Sequence, residues 1–434
     1  MEDTKTIAKA KRGLHGEIMI PGDKSISHRS VMFSALGSTP VHITNFLHAQ
    51  DCLSTAACMR ALGASVEFSS ETELTVCGRG LHGLQEPVTI IDAGNSGTTL
   101  RLMMGILAPQ PFLTTFTGDA SLHKRPMGRV IKPLRQMGAK IYGREQNTKL
   151  PITIVPAEGK LHGMVYESPV ASAQVKSAIL LAGMYADAPT TVVEPFTSRD
   201  HTERMLEAFG VHTKKEGTAV TIEPVEEFKA PEAIEVPGDI SSAAYWLVAG
   251  AVVPGSSLLL RNVGVNPTRT GILDVLRDMG AEITRENERT SGGEAAADIR
   301  VEASQLHGVS FGAEIMPRLI DEIPVIAVAA LFAEGDTVIT GAGELRVKET
   351  DRLQAITDEF NKLAPGSVEA SADGLVIHGG TKVKHASCFS YDDHRMAMSL
   401  AILGTAGEGV TIEKPACVNI SYPSFYGTLS SLQA

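Results

Sequence analysis

One phrase recurs along this chain at a steady interval and sets what it can fold into. Small polar residues run straight into an apolar helix-forming stretch at "GDKSISHRSVMFSAL" near Ser25 and at "DAGNSGTTLRLMMGILA" near Ser96. The pattern returns at "VASAQVKSAILLAGMYA" near Ser172, "GDISSAAYWLVAGAV" near Ser241, "LIDEIPVIAVAALFA" near Asp321 and "YDDHRMAMSLAILG" near Asp393. Successive spacings are 71, 76, 69, 80 and 72 residues. Self-similarity at a fixed period marks one supersecondary unit copied along the chain. Two further markers keep phase. Helix ends run into glycine at "MRALGASVE" (Gly63), "LRQMGAKI" (Gly138), "LEAFGVHT" (Gly210) and "LRDMGAEI" (Gly280), which predicts left-handed C-caps. "LHG" occurs at Leu14, Leu81, Leu161 and Leu306, near expected strand starts. Each unit then carries about two helices and several short β-branched strands such as "PVTIID" and "TVVEP".

Six units divide naturally into two groups of three. The phrase Pro-Gly-Asp occurs at residues 21–23 and again at 237–239. These are the places where the chain is expected to pass from one group to the other. The expected domains are 1–21 plus 239–434, discontinuous, and 22–238. The fold class is mixed α/β.

Composition narrows the function. The 434 residues suffice for two or three domains, and a net charge of -11 argues against general affinity for nucleic acid or an anionic membrane. Five cysteines, Cys52, Cys58, Cys77, Cys388 and Cys417, with no C-x-x-C, predict no disulfide framework, no zinc site and a reducing compartment. The first twenty residues lack the long apolar core of a signal peptide, and no apolar run reaches the ~20 residues needed to span a bilayer. The expectation is a soluble, cytoplasmic protein.

Each polar phrase sits at a helix N-terminus, where free N–H groups and the helix dipole attract anions. Serine and aspartate there also act simply as N-caps, which accounts fully for "GDISSA". Elsewhere cations crowd the helix starts: Lys24 and Arg29, Arg101, Lys176, His394 and Arg395. Cations are disfavoured at that end of a helix unless something negative offsets them, so the pattern points to a strongly anionic ligand. "HKRPMGR" adds Lys124, Arg125 and Arg129, with Pro126 suited to a first helical turn. "LRVKETDRL" adds Arg346, Lys348, Glu349 and Arg352, and helical spacing would put Lys348 and Arg352 on one face. Asp392 is a candidate cap. Asp321 and Glu322 open an otherwise apolar helix, and a carboxylate among cations in a dry site can move protons. The signatures of P-loop, zincin and serine-hydrolase chemistry are missing.

The stretches "GDKSISHR", "GNSGTTLR", "KRPMG", "SAQVKSA", "RVKETDRL" and "DDHRMAM", in this order, give a chain that resembles the 5-enolpyruvylshikimate-3-phosphate synthase family over essentially its full length. "GDKS", "SAQVK", "RDHTE" and "NPTR" look like the set that marks its second, glyphosate-tolerant class. The resemblance implies two domains of three βαβαββ units each, joined by two crossovers, with substrates in the interdomain cleft. It implies transfer of the enolpyruvyl group of phosphoenolpyruvate to the 5-hydroxyl of shikimate-3-phosphate, with release of phosphate, by a monomer that needs no metal or organic cofactor.

By motif, the resemblance assigns shikimate-3-phosphate to Lys24, Ser25, Arg29, Ser172, Ala173, Gln174, Arg199, Asp321 and Lys348. It assigns phosphoenolpyruvate to Lys24, Gly97, Arg125, Gln174, Lys348, Glu349, Arg352, His394 and Arg395. Asp321 is the expected base for the 5-hydroxyl, and Glu349, assisted by Lys24, the expected proton donor to the methylene. Ile420 stands where many relatives have lysine, Leu102 replaces a frequent proline, and Gly97 keeps the glycine associated with glyphosate sensitivity. Two alternatives remain. UDP-N-acetylglucosamine enolpyruvyl transferase shares fold and chemistry, but its usual cysteine is missing from "TGDASLHKRPMG" and it lacks "RVKETDRL". A non-catalytic anion-binding protein could use the same scaffold.

Overall fold

The computed structural model describes residues 3–433. Among them the strands form six small sheets, five of four strands and one of three. The chain divides into two compact units, one of residues 1–21, 238–289 and 295–434, the other of 22–237 with 290–294. Gly238 thus groups with the first unit, and so does all of the long hairpin Glu282–Ser291 and Glu294–Glu302 except its tip. No sequence feature signals the attachment of that five-residue tip to the second unit.

Every four-stranded sheet has the same plan: one parallel pair, then two antiparallel pairs. In the sheet around Val41–Thr44, the parallel partner is Ala233–Glu235 and the antiparallel partners are Leu74–Cys77 and then Ser65–Phe68. The sheet around Ser257–Gly264 repeats this with His15–Met19 as parallel partner and the long hairpin as the rest. The three-stranded sheet takes its antiparallel strand, Thr4–Ile7, from the other end of the chain. Of "PVTIID" only Ile91–Asp92 is strand, and Val88 and Ile90 before it are exposed.

The six recurring phrases build six helices: α1 Lys24–Ser34, α2 Gly97–Leu107, α3 Ala173–Gly183, α4 Ile240–Val252, α5 Ile323–Phe332 and α6 His394–Ala406. The first three lie in the second unit and the last three in the first. They are buried nearly all round, α5 from Ile323 through Leu331 without a break, as expected for helices at the centre of a core. Each Leu, Ile or Val so buried contributes about 1.5–3 kcal/mol. Separate hydrophobic cores form around α1–α3 and around α4–α6. The C-cap glycines behave as expected: Gly63, Gly138, Gly210 and Gly280 have φ of 90°, 98°, 76° and 94°. The four "LHG" leucines are buried core residues.

The duplicated Pro-Gly-Asp phrases have one geometry. Asp23 N donates to Pro237 O at 2.7 Å, and Asp239 N donates to Pro21 O at 2.9 Å. A Cβ on Gly22 would lie 1.9 Å from Asn45 O, and one on Gly238 2.7 Å from the Ile20 Cβ. The glycine is therefore required by close approach in both copies. The aspartate caps the following helix in each: Asp23 accepts from Ile26 N, and Asp239 from Ser241 N.

Candidate active site

In the second unit, the starts of α1, α2 and α3 carry a cationic cluster. Lys24 opens α1 and donates to Asp51 Oδ2 at 3.0 Å. Asp51 belongs to the helix Gln50–Ala61 and carries no motif, so no signal in the sequence marks it. Burial pushes the Asp51 carboxyl up, but Lys24 and His28 outweigh it and hold the group below its usual range. Ser25 is half-buried, and its carbonyl accepts from Arg29 Nη1 at 3.0 Å. Arg29 is buried, with Nε on Thr202 Oγ1 and Nη2 on Ser177 Oγ. Burial brings its guanidinium down to about 10, opposed by Glu203 and reinforced by Arg199. Arg199 is half-buried just before the helix His201–Ala208.

Gly97 opens α2 behind the cap Ser96, whose Oγ accepts from Thr99 N. A Cβ on Gly97 would meet Arg101 Nη1 at 3.2 Å and Arg125 Nη1 at 3.5 Å, so two guanidinium groups lie over that helix start. Arg125 Nη2 donates to Asn95 Oδ1 at 2.9 Å. Gln174 Nε2 donates to Thr98 Oγ1 at 2.9 Å, and its Oε1 accepts from Arg101. Burial lowers Arg101 to about 10, and Arg125 and Arg129 push in the same direction. Such mutual repulsion marks a place where an anion would be stabilised. Pro126 precedes the helix Gly128–Gln136 rather than entering its first turn. Ser172 is the N-cap residue of α3, although its side chain makes no capping bond, and Ala173 and Gln174 follow half-buried. Lys176 departs from expectation: it is 1% exposed and bonded to Glu194 and Glu203, so it does not face a ligand.

In the first unit, cations gather around Asp321, which lies in the 3-10 turn Ile320–Glu322 ahead of α5. Lys348 Nζ is 3.3 Å and Arg352 Nη1 3.6 Å from Asp321 Oδ1, and Arg395 Nη1 donates to the Asp321 carbonyl at 3.2 Å. Lys348 and Arg352 do not share a helix face. The helix Arg352–Leu363 begins only at Arg352, with Asp351 as its cap, and the two cations meet through Asp321 instead. Arg352 is buried and donates to Asp393 and, at 2.8 Å, to Glu349 Oε2. Asp393, not Asp392, caps α6, where it accepts from Arg395 N at 2.8 Å. His394 is buried at the first position of α6. Burial depresses Arg395, but Asp321, Tyr245 and Glu322 outweigh it and raise the guanidinium above its usual value. Burial pushes the Glu349 carboxyl up, yet Arg352 and His394 overcome this and bring it down to about 2. Glu349 is thus ionised at neutral pH, with no proton to give.

The "GDISSA" phrase is more than a cap. Ser241 Oγ donates to Glu322 Oε1 and accepts from Arg269 Nη2 at 2.8 Å, and Arg269 also reaches Asp239 Oδ1 at 3.2 Å. The basic partner missing from the phrase comes from "NPTR". Ile420 is exposed in the turn Pro415–Ile420. Among the described residues, no group of three or more His, Cys, Asp or Glu side chains could hold a metal ion. No helix among them is long and apolar enough to cross a membrane.

Comparison with known proteins matches residues 8–429 to the family model described as EPSP synthase (3-phosphoshikimate 1-carboxyvinyltransferase). The chain is 53% identical over 429 residues to a 3-phosphoshikimate 1-carboxyvinyltransferase of Bacillus cereus, covering 99% of each. It is 52% identical over 423 residues to one from Desulforudis audaxviator, covering 97% of this chain and 98% of the relative. An EPSP synthase structure from Acinetobacter baumannii superposes with a TM-score of 0.90 at 43% identity, covering 98% of this chain and 97% of that one.

Proposed function

The chain belongs to the EPSP synthase family, and on that premise we propose how its residues divide the chemistry. The protein transfers the enolpyruvyl group of phosphoenolpyruvate to the 5-hydroxyl of shikimate-3-phosphate, releasing phosphate, on the route to chorismate and the aromatic amino acids. Both substrates are anions. The observation that carries the residue assignment is the gathering of cations at Asp321, with Lys348 and Arg352 at its carboxylate and Arg395 at its carbonyl.

Shikimate-3-phosphate is held by Lys24, Ser25, Arg29, Ser172, Ala173, Gln174 and Arg199, with Asp321 and Lys348 at its reacting hydroxyl. Phosphoenolpyruvate is held by Arg125, Arg352 and Arg395, whose planar forks suit carboxylate and phosphate. Lys24, Gly97, Gln174, Lys348, Glu349 and His394 complete its surroundings. Asp321 takes the proton of the 5-hydroxyl as its oxygen attacks C2 of phosphoenolpyruvate, while the C3 methylene is protonated. In the second step a proton leaves C3, the C2–O bond to phosphate breaks, and the enol ether forms.

Glu349 as it stands has no proton to give, and a carboxylate held so low is also a weak base. It becomes a donor in the first step only when phosphoenolpyruvate draws Arg352 onto its own charge. That removes the cation holding the carboxyl down and lets its pKa rise. Lys24 shares the donor role. The fixed cations take up the charge developing on the departing phosphate. The working unit is a monomer on this reading. Glyphosate, with its carboxylate and phosphonate, competes with phosphoenolpyruvate beside Gly97.

The test is phosphate release by the purified protein supplied with phosphoenolpyruvate and either shikimate-3-phosphate or UDP-N-acetylglucosamine. Release only with shikimate-3-phosphate is the expected result. Release only with the sugar nucleotide would overturn the reading.

A further inference from the structure

The cation that the motif "SAQVK" places at the start of α3 lies inside the protein, in a buried network of charges. Lys176 Nζ donates to Glu203 Oε1 at 2.7 Å and to Glu194 Oε2 at 3.1 Å. Lys176 and Glu194 are 1% and 2% exposed, and Glu203 11%. Glu194 in turn accepts from two backbone N–H groups: Ser172 N at 2.9 Å on Oε1, and Ser198 N at 3.3 Å on Oε2, with Ser198 Oγ at 2.8 Å. One carboxylate therefore ties together the two segments assigned to shikimate-3-phosphate, Ser172–Gln174 and the loop that ends in Arg199.

The network continues to α1. Ser177, beside Lys176, and Thr202, beside Glu203, share a hydrogen bond of 2.6 Å. Arg29 donates to both and to the Ser25 carbonyl. The charges nearly balance, Lys176 and Arg29 against Glu194 and Glu203, which is what a buried ionic cluster requires. Burial pulls the Lys176 ammonium down, but Glu203 and Glu194 outweigh it and hold it above its usual value, so it stays charged at neutral pH. In a buried network of this kind, removing one member leaves another unpaired.

We propose that Lys176 and Glu194 are positioning residues for shikimate-3-phosphate: Lys176 holds Glu194, and Glu194 fixes the backbone of Ser172 and Ser198 so that the two binding segments are set in place before the substrate arrives. Neither side chain touches substrate. The proposal rests on the assignment of Ser172–Gln174 and Arg199 to shikimate-3-phosphate.

Three single variants test it, Lys176→Met, Glu194→Gln and Arg199→Met, together with the double variant of the first two. The KM for each substrate, kcat and the melting temperature are measured for all four. Loss of a charge-assisted contact should raise the shikimate-3-phosphate KM about tenfold or more in Lys176→Met and Glu194→Gln. The phosphoenolpyruvate KM should stay within about twofold, because only one substrate's segments are loosened. The double variant should be far less than additive, since both residues act through the same carboxylate. A merely structural role would lower the melting temperature and move both KM values together, and that result overturns the proposal. Glu194→Gln decides alone if Lys176→Met does not fold. Arg199→Met separates the two levels. If it leaves shikimate-3-phosphate binding intact, the site assignment fails and takes the proposal with it. If it weakens that binding while Lys176→Met and Glu194→Gln do not, only the positioning role falls.

Discussion

Arg352 grips Asp393 with two prongs: Nε donates to Oδ2 at 2.8 Å and Nη2 to Oδ1 at 3.3 Å, with the two side chains 1% and 0% exposed. The same Asp393 oxygen that meets Nη2 accepts from Arg395 N and so caps α6. One buried carboxylate thus holds the Arg352 side chain and the Arg395 backbone, two of the three arginines assigned to phosphoenolpyruvate. Lysine cannot reproduce the fork. Arg352→Lys should cost about 3 kcal/mol of stability by leaving Asp393 poorly paired. It should also raise the phosphoenolpyruvate KM more than the shikimate-3-phosphate KM. Denaturant unfolding and steady-state kinetics check the two parts.

Asp321 is held by Lys348 and Arg352 at its carboxylate and by Arg395 at its carbonyl. Asp321→Asn keeps the shape and loses the base. Turnover should fall by about 10²–10⁴, the usual share of general acid–base catalysis. Substrate affinity should change little. A fall in affinity as large as the fall in kcat would reassign Asp321 to binding.

Gly97 lies beneath Arg101 and Arg125, and a methyl group added to it would sit 3.2 and 3.5 Å from their Nη1 atoms. Gly97→Ala should displace these flexible ends, and crowding of this kind costs about 1–3 kcal/mol. The phosphoenolpyruvate KM and the glyphosate inhibition constant should both rise, with the shikimate-3-phosphate KM nearly unchanged. Equal shifts in both substrate KM values would move the phosphoenolpyruvate site away from Gly97.

His28 is fully buried beside Thr55, and burial brings its imidazole down to about 3 from 6.5. The folded protein keeps it neutral, while the unfolded chain protonates it as pH falls through 6.5. This stability is therefore complete above pH 6.5 and is lost as pH falls toward 3. His28→Asn removes the titration and keeps a hydrogen-bonding side chain. Its melting temperature should fall less steeply than the wild type's from pH 6.5 to about 5, before most carboxylates titrate. Parallel slopes in the two proteins would show that His28 is not the group responsible.

Much of the architecture is legible in the sequence because it depends on neighbours along the chain. The beat of polar caps, apolar helices and C-cap glycines is local chemistry, and α1–α6 and the four left-handed glycines lie where that chemistry puts them. The helix starts are legible for the same reason, so the motif residues around Asp321 and around Gly97 can be picked out without coordinates. Three things lie beyond local reading. Strand partners come from far away, as with Thr4–Ile7 on Val410–Glu413. Lys348 and Arg352 meet through Asp321 rather than along a helix face. Lys24 and Lys176 belong to similar polar phrases, yet Lys24 is 31% exposed beside Asp51 and Lys176 is sealed against Glu194 and Glu203. The sequence alone determined which residue types stand at each helix start, because capping and apolar periodicity act over a few residues. Only the tertiary structure decided which of those cations stay partly exposed and which are neutralised inside, because burial and ion pairing depend on what packs against them from elsewhere in the chain.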